Sequence, residues 1–212
     1  MAEITALRVH PRRPGRVEVY LDGRRWLSIP SAAAGGLGVG MTLAPEVQAD
    51  LESRTAEAEA LESIGRLLAR RPHSEQEVRR RLERAGLDQA VIARVQARLR
   101  ASGDLNDEGF ARAWVENRQD FRPRSAAMIR AELRGRGVAA DDIAAALAGF
   151  DERQAAEEAG RRAARRWSGI DPAGRRHKVF EHLARRGFAY DIVRSVVRTL
   201  EASTEGESEE RP

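Results

Sequence analysis

The sequence predicts a mainly α protein, in which three tandem three-helix repeats form an elongated, curved solenoid behind a small N-terminal β-ribbon. Three observations lead there. Segments starting at Val78, Ile129 and Val179 align without a gap, at spacings of 51 and 50 residues. Residues 4–29 instead alternate in hydropathy with the two-residue period of strands. The chain has 212 residues and is 42% hydrophobic, enough for a sizeable core. It contains no stretch near the roughly 18 apolar residues that a membrane helix needs.

The ribbon comes first. ITALRV at 4–9, VEVYL at 17–21 and WLSI at 26–29 read as strands, with Val17, Val19 and Leu21 on one face. Pro11 and Pro14 mark the first turn, and Asp22-Gly23 is a hairpin signal. Residues 30–44 read as a Gly- and Ala-rich connector, and Pro45 opens a linking helix. Tyr20 and Trp26 flank the hairpin turn, where they either pin the ribbon or present a contact surface.

The repeats follow. In each, an apolar residue is followed four positions later by leucine, four later by glycine, and then by another apolar residue. The sets are Val78, Leu82, Gly86, Leu87; Ile129, Leu133, Gly137, Val138; and Val179, Leu183, Gly187, Phe188. This order matches a helix ended by a left-handed glycine, whose flanking apolar side chains touch across the stop. The second helix of each repeat therefore ends at its glycine. A third helix starts almost at once, near Asp88, Asp141 or Asp191, and buries Ile92, Ile143 or Val193. First helices are expected at 56–71, 106–119 and 152–167. Ser74 with Glu77 forms a capping box, Ser125 holds the equivalent place, and Asn106 caps the helix bearing Trp114. The expected divisions are 1–44 ribbon and connector, 45–104 linking helix and repeat one, 105–151 repeat two, 152–202 repeat three, and 203–212 a disordered acidic tail.

Composition narrows the chemistry. The chain has no cysteine and four scattered histidines, so neither a thiolate nucleophile nor a structural zinc site is expected. His177 and His182 are five apart and do not share a helix face. The glycines at 35–40 do not fit a dinucleotide fingerprint, and the one lysine, Lys178, lies outside any phosphate-binding loop. No cofactor, no metal and no catalysis are expected. No secretory leader is recognised, so a soluble, cytoplasmic protein is expected; it is also expected to be a monomer. The formal net charge is +4. It is concentrated at residues 152–202, where 12 basic and 7 acidic groups give +5.

Against this frame of residues the chain resembles the bacterial RecX family. In repeat one the resemblance rests on Leu68, Arg70, Arg71, Ser74, Glu77, Val78, Leu82 and Gly86. Repeat two adds Gly103, Leu105, Asp107, Phe110, Ala111, Trp114, Val115 and Arg118, then Ile129, Glu132, Leu133, Gly137 and Val138. It covers about residues 60–200. Arg122-Pro123-Arg124, where a glycine-containing turn is more usual, and the acidic tail depart from it. The resemblance implies a non-enzymatic regulator that lodges in the groove of a RecA filament on DNA. It would inhibit ATPase, strand-exchange and co-protease activity in DNA repair and the SOS response. The alternative is an autonomous nucleic-acid-binding helical repeat protein, in which basic side chains grip phosphates.

The partner- or DNA-binding candidates are basic. Arg80 and Arg84 lie one turn apart on the outer side of the helix that buries Val78 and Leu82; Glu77 and Glu83 are available to neutralise them. Repeat three supplies nine more: Arg161, Arg162, Arg165, Arg166, Arg175, Arg176, Lys178, Arg185 and Arg186. Glu157 and Glu158 compensate the first two, leaving Arg165 and Arg166 over. DNA, single- or double-stranded, is expected to be held weakly without RecA. Trp114 and Trp167 fall on apolar stripes and are expected in the core rather than as stacking platforms, a role that Phe110 and Phe121 also invite.

Overall fold

A computed structural model describes the backbone of residues 1–209 and the side chains of residues 1–202. The segment 203–212, expected to be a disordered tail, has its side chains outside the described residues. The chain divides into two compact units, residues 1–71 with 78–105, and residues 72–77 with 106–212.

The first unit opens with strands β1 (Ala2–Val9), β2 (Arg16–Leu21) and β3 (Arg24–Pro30), then a 3-10 turn at Ser31–Ala34 and a two-residue strand β4 (Thr42–Leu43). The antiparallel sheet has the order β3-β2-β1-β4. Asp22-Gly23 makes the expected tight turn, both residues having positive φ. The ribbon is thus one strand larger than its alternation suggested. Inside the expected connector, Thr42 and Leu43 pair with Glu3 and Ala2, and Leu43 is buried with Ile4, Val19, Leu21 and Ile29.

The linking helix and the first helix of repeat one are a single helix, α1 (Pro45–Leu68). Its Leu51 packs on the sheet core, while Ala60 and Ile64 pack with α2 (Glu75–Arg84) and α3 (Gln89–Ala101). Trp26 resolves as a pin: half-buried, it donates its indole N–H to Glu52 of α1 at 2.7 Å.

The second unit holds α4 (Asp107–Phe121), α5 (Ala126–Gly135) and α6 (Ala140–Ala146), then α7 (Glu152–Arg166), α8 (Pro172–Arg185) and α9 (Tyr190–Glu209). α6 is short, so Phe150 packs from beyond its end rather than from the helix, and touches the cores of both repeats. α7 turns Ala155, Ala156, Ala159, Gly160 and Ala163 inward. These small residues let α9 come close; a Cβ on Gly160 would stand 2.8 Å from Val196 Cγ1.

All three expected glycine stops are present. The amides of Leu87, Val138 and Phe188 donate to the carbonyls of Leu82, Leu133 and Leu183, and those of Gly86, Gly137 and Gly187 to Glu83, Arg134 and Ala184. Each glycine has φ near +80°: +77°, +79° and +82°. The expected caps also form, with Ser74, Ser125 and Asn106 side chains accepting from Glu77, Met128 and Gly109 amides.

One joint recurs within the second unit. Ser74 donates its hydroxyl to the Arg136 carbonyl at 2.7 Å, and Gln76 lies against Gly137. One repeat later, the Ser125 amide donates to the Arg186 carbonyl at 3.1 Å, and Ser125 and Met128 lie against Gly187. The start of one repeat's second helix thus receives the glycine stop of the next. This contact explains why residues 72–77 group with the second unit.

Candidate partner-binding surface

The nine cations of repeat three fall into two classes once their partners are known. On α7, Arg161 pairs with Glu157 and Glu158, and Arg162 with Glu158 at 2.6 Å. The hydrogen bonds from Arg162 and Arg161 hold the Glu158 carboxyl below its ordinary pKa. On α8, Arg176 pairs with Glu201 of α9 at 2.8 Å, and Arg185 with Glu181 at 3.3 Å. Arg186 donates to His182 Nε2 and to the Pro123 carbonyl at 2.8 and 2.7 Å, so it fastens repeat three to repeat two. The other four, Arg165, Arg166, Arg175 and Lys178, have no carboxylate partner among the described residues. Arg166 lies 5.8 Å from the Trp167 ring centroid, a loose cation-π contact.

The structure extends the cluster with residues singled out only as a departure from a family pattern. Burial lowers the pKa of Arg186, and the charges of Arg124, Arg162 and Arg122 lower it further. His182 is likewise lowered, first by burial and then by Arg186, Arg185 and Arg166. Positive groups from the α4–α5 turn, the end of α7 and the end of α8 therefore converge. Sequence spacing carried no sign of this, because Arg122 and Arg124 lie at least 37 residues from the rest. His182 accepts from Arg186 at Nε2, a role of the neutral imidazole, and meets the Trp167 ring edge-on at 5.6 Å.

In repeat one, Arg80 and Arg84 are exposed on α2, as expected, and the two glutamates available to neutralise them are engaged elsewhere. Glu83 pairs with Arg79 at 2.9 Å and Glu77 faces Arg136 at 3.5 Å. Arg84 reaches only the Arg80 carbonyl, so both charges lack an acidic partner among the described residues. They belong to the first unit, and the repeat-three cluster to the second.

The aromatics mostly pack inward. Phe110 is buried, Trp114 and Trp167 are half-buried against their repeat cores, and Phe121 is exposed. Trp114 is also a polar hub. Arg118 and Arg136 lie 4.1 and 3.8 Å from its ring centroid, and its N–H donates to Glu132 at 2.7 Å. Glu132 also accepts from Arg118 and Arg124. Among the described residues, no cluster of His, Asp or Glu could hold a metal ion, and no helix is long and apolar enough to cross a membrane.

Three family models, described as the first, second and third three-helix domains of RecX, match residues 60–99, 106–147 and 151–197. The chain belongs to the RecX family. Among RecX relatives, the regulatory protein RecX of Mycobacterium sp. (strain JLS) is 37% identical over 149 residues, covering 67% of this chain and 81% of the relative. That of Amycolatopsis mediterranei (strain U-32) is 31% identical over 146 residues, covering 65% and 83%. A RecX crystal structure superposes with a TM-score of 0.66 at 21% identity, covering 92% of this chain and 98% of the other. RecX from Lactobacillus salivarius gives 0.58 at 17% identity, covering 69% and 97%. The second and third RecX matches begin at the turns between α3 and α4 and between α6 and α7, whereas the first begins inside α1 and the third ends inside α9.

Proposed function

We propose that this chain is a non-enzymatic, monomeric cytoplasmic regulator that binds RecA and RecA–DNA filaments and restrains ATPase, strand exchange and co-protease activity. Its setting is DNA repair and the SOS response. Membership in a regulatory family supports the reading, and one observation carries it. Arg165, Arg166, Arg175 and Lys178 stand without acidic partners among the described residues, on the repeat whose Arg186 meets the basic α4–α5 turn at the Pro123 carbonyl. Their field attracts a polyanionic nucleoprotein filament and speeds docking in a salt-dependent way. Regulation by occupancy needs only such a surface on a preformed scaffold.

The test is RecA ATPase on single-stranded DNA, titrated with this protein and with a variant in which those four cations are glutamine. Inhibition by the wild type well below one protein per RecA, lost in the variant, is the expected result. Inhibition that begins only when the protein saturates the DNA would overturn it in favour of an autonomous DNA-binding protein.

A further inference from the structure

Sharing Arg176 with that cluster, α8 and α9 enclose a groove of about 490 Å³. Phe180 and Val197 line it with apolar surface, and Arg176, Arg194, Arg198 and Glu201 supply its charges. Glu201 is engaged by Arg176. Arg194 and Arg198 are exposed, sit one turn apart on α9 and have no carboxylate partner among the described residues. Two like charges so placed repel each other in the free protein, and a bound anion reverses that sign.

One turn before Arg194, on the same stripe of α9, stands Tyr190. It is 68% exposed, against the tendency of aromatic rings to be covered. Its ring meets Phe180 of the groove edge-on, with centroids 5.7 Å apart and planes at 71°. α9 thus presents an aromatic ring and then two guanidiniums at successive steps of about 6 Å, beside an apolar recess.

We propose that this groove binds single-stranded nucleic acid, with a base stacked on Tyr190 beside Phe180 and phosphodiesters held by Arg194 and Arg198. The arrangement is an aromatic platform joined to a cationic track, which suits unstacked bases on a charged backbone. A duplex keeps its base faces covered and would leave the ring unused. An acidic peptide would satisfy the arginines but has no need of the open ring beside them. The inference rests on the proposed role at a RecA–DNA filament only for its biological setting.

The test uses the full chain without RecA. Fluorescence anisotropy is read with labelled oligo(dT), with an abasic deoxyribose-phosphate strand of equal length, and with a duplex. Arg194→Gln/Arg198→Gln should weaken oligo(dT) at least tenfold and shallow its salt dependence by about 1.4 in log–log slope, the share of two phosphates on a single strand. Tyr190→Ala, an exposed position whose loss leaves the core intact, should weaken oligo(dT) by roughly five- to 160-fold and leave the abasic strand unaffected. Unchanged oligo(dT) affinity in both variants would overturn the site. Equal losses on oligo(dT) and the abasic strand would also overturn it, leaving a phosphate patch alone. RecA inhibition measured in parallel separates the two proposals: inhibition that persists while oligo(dT) binding is unaltered refutes this groove and spares the regulatory reading.

Discussion

Gly86, Gly137 and Gly187 stop three equivalent helices at nearly the same backbone angle, so replacing each with alanine separates backbone strain from close packing. A Cβ at Gly86 would meet nothing within 4 Å. Gly86→Ala therefore bears only the left-handed penalty of an L residue, roughly 1–2 kcal/mol. At Gly137 the new Cβ would stand 2.6 Å from Gln76 Cδ and 2.7 Å from Gln76 Cβ. The second of these atoms cannot swing away with the amide. At Gly187 it would stand 2.6 Å from Met128 Cγ and 2.7 Å from Ser125 Oγ, where α5 of the preceding repeat is capped. Overpacking of this kind adds about 1–3 kcal/mol, for a total of about 2–5 kcal/mol at either position. The assay is urea unfolding followed by circular dichroism. Gly86→Ala should shift the midpoint least, and the other two by clearly more. Equal shifts for all three, or the largest at Gly86, would refute the joint as the reason these glycines are bare.

Two further outcomes follow from the second unit. His182 has a pKa below its ordinary 6.5 in the folded chain, so below about that pH the unfolded state takes up the proton first. The contribution of neutral His182 to stability is complete above that value and is lost as pH falls through the lowered folded pKa. Thermal melts between pH 8 and 5 should show a decline that His182→Gln flattens; parallel profiles would refute it. Glu132→Gln keeps the shape but removes the charge that Trp114, Arg118 and Arg124 address. It should destabilise by about 1.5–3 kcal/mol, the range for a charged hydrogen bond, with a change in tryptophan emission. A loss under about 0.5 kcal/mol, the size of an ordinary surface effect, would show that the hub is not needed.

Much of the helical architecture was legible in the residues, because its signals act over one or two turns. A glycine stop is decided by the four or five residues whose amides and carbonyls it ties together. Gly137 with Leu133 and Val138 could therefore be read without knowing what lies beside them. The same locality made Ser125 and Asn106 readable as caps. β4 was not legible, since two residues carry no period and Leu43 becomes a strand residue only through β1. The charge map divided in the same way. Arg162 and Glu158, four apart on α7, paired as their spacing indicated. Glu77 instead turned to Arg136, and Glu201 crossed from α9 to Arg176. Arg122 and Arg124 joined a cluster far along the chain, and Tyr190 met Phe180 beside Arg194 and Arg198. Local sequence determined where the capped and glycine-stopped helices begin and end, because the backbone groups to be satisfied lie within a few residues. Only the packing of one helix on another decided which arginines are paired and which face an open surface, because a long guanidinium side chain takes its partner from whatever helix is laid beside it.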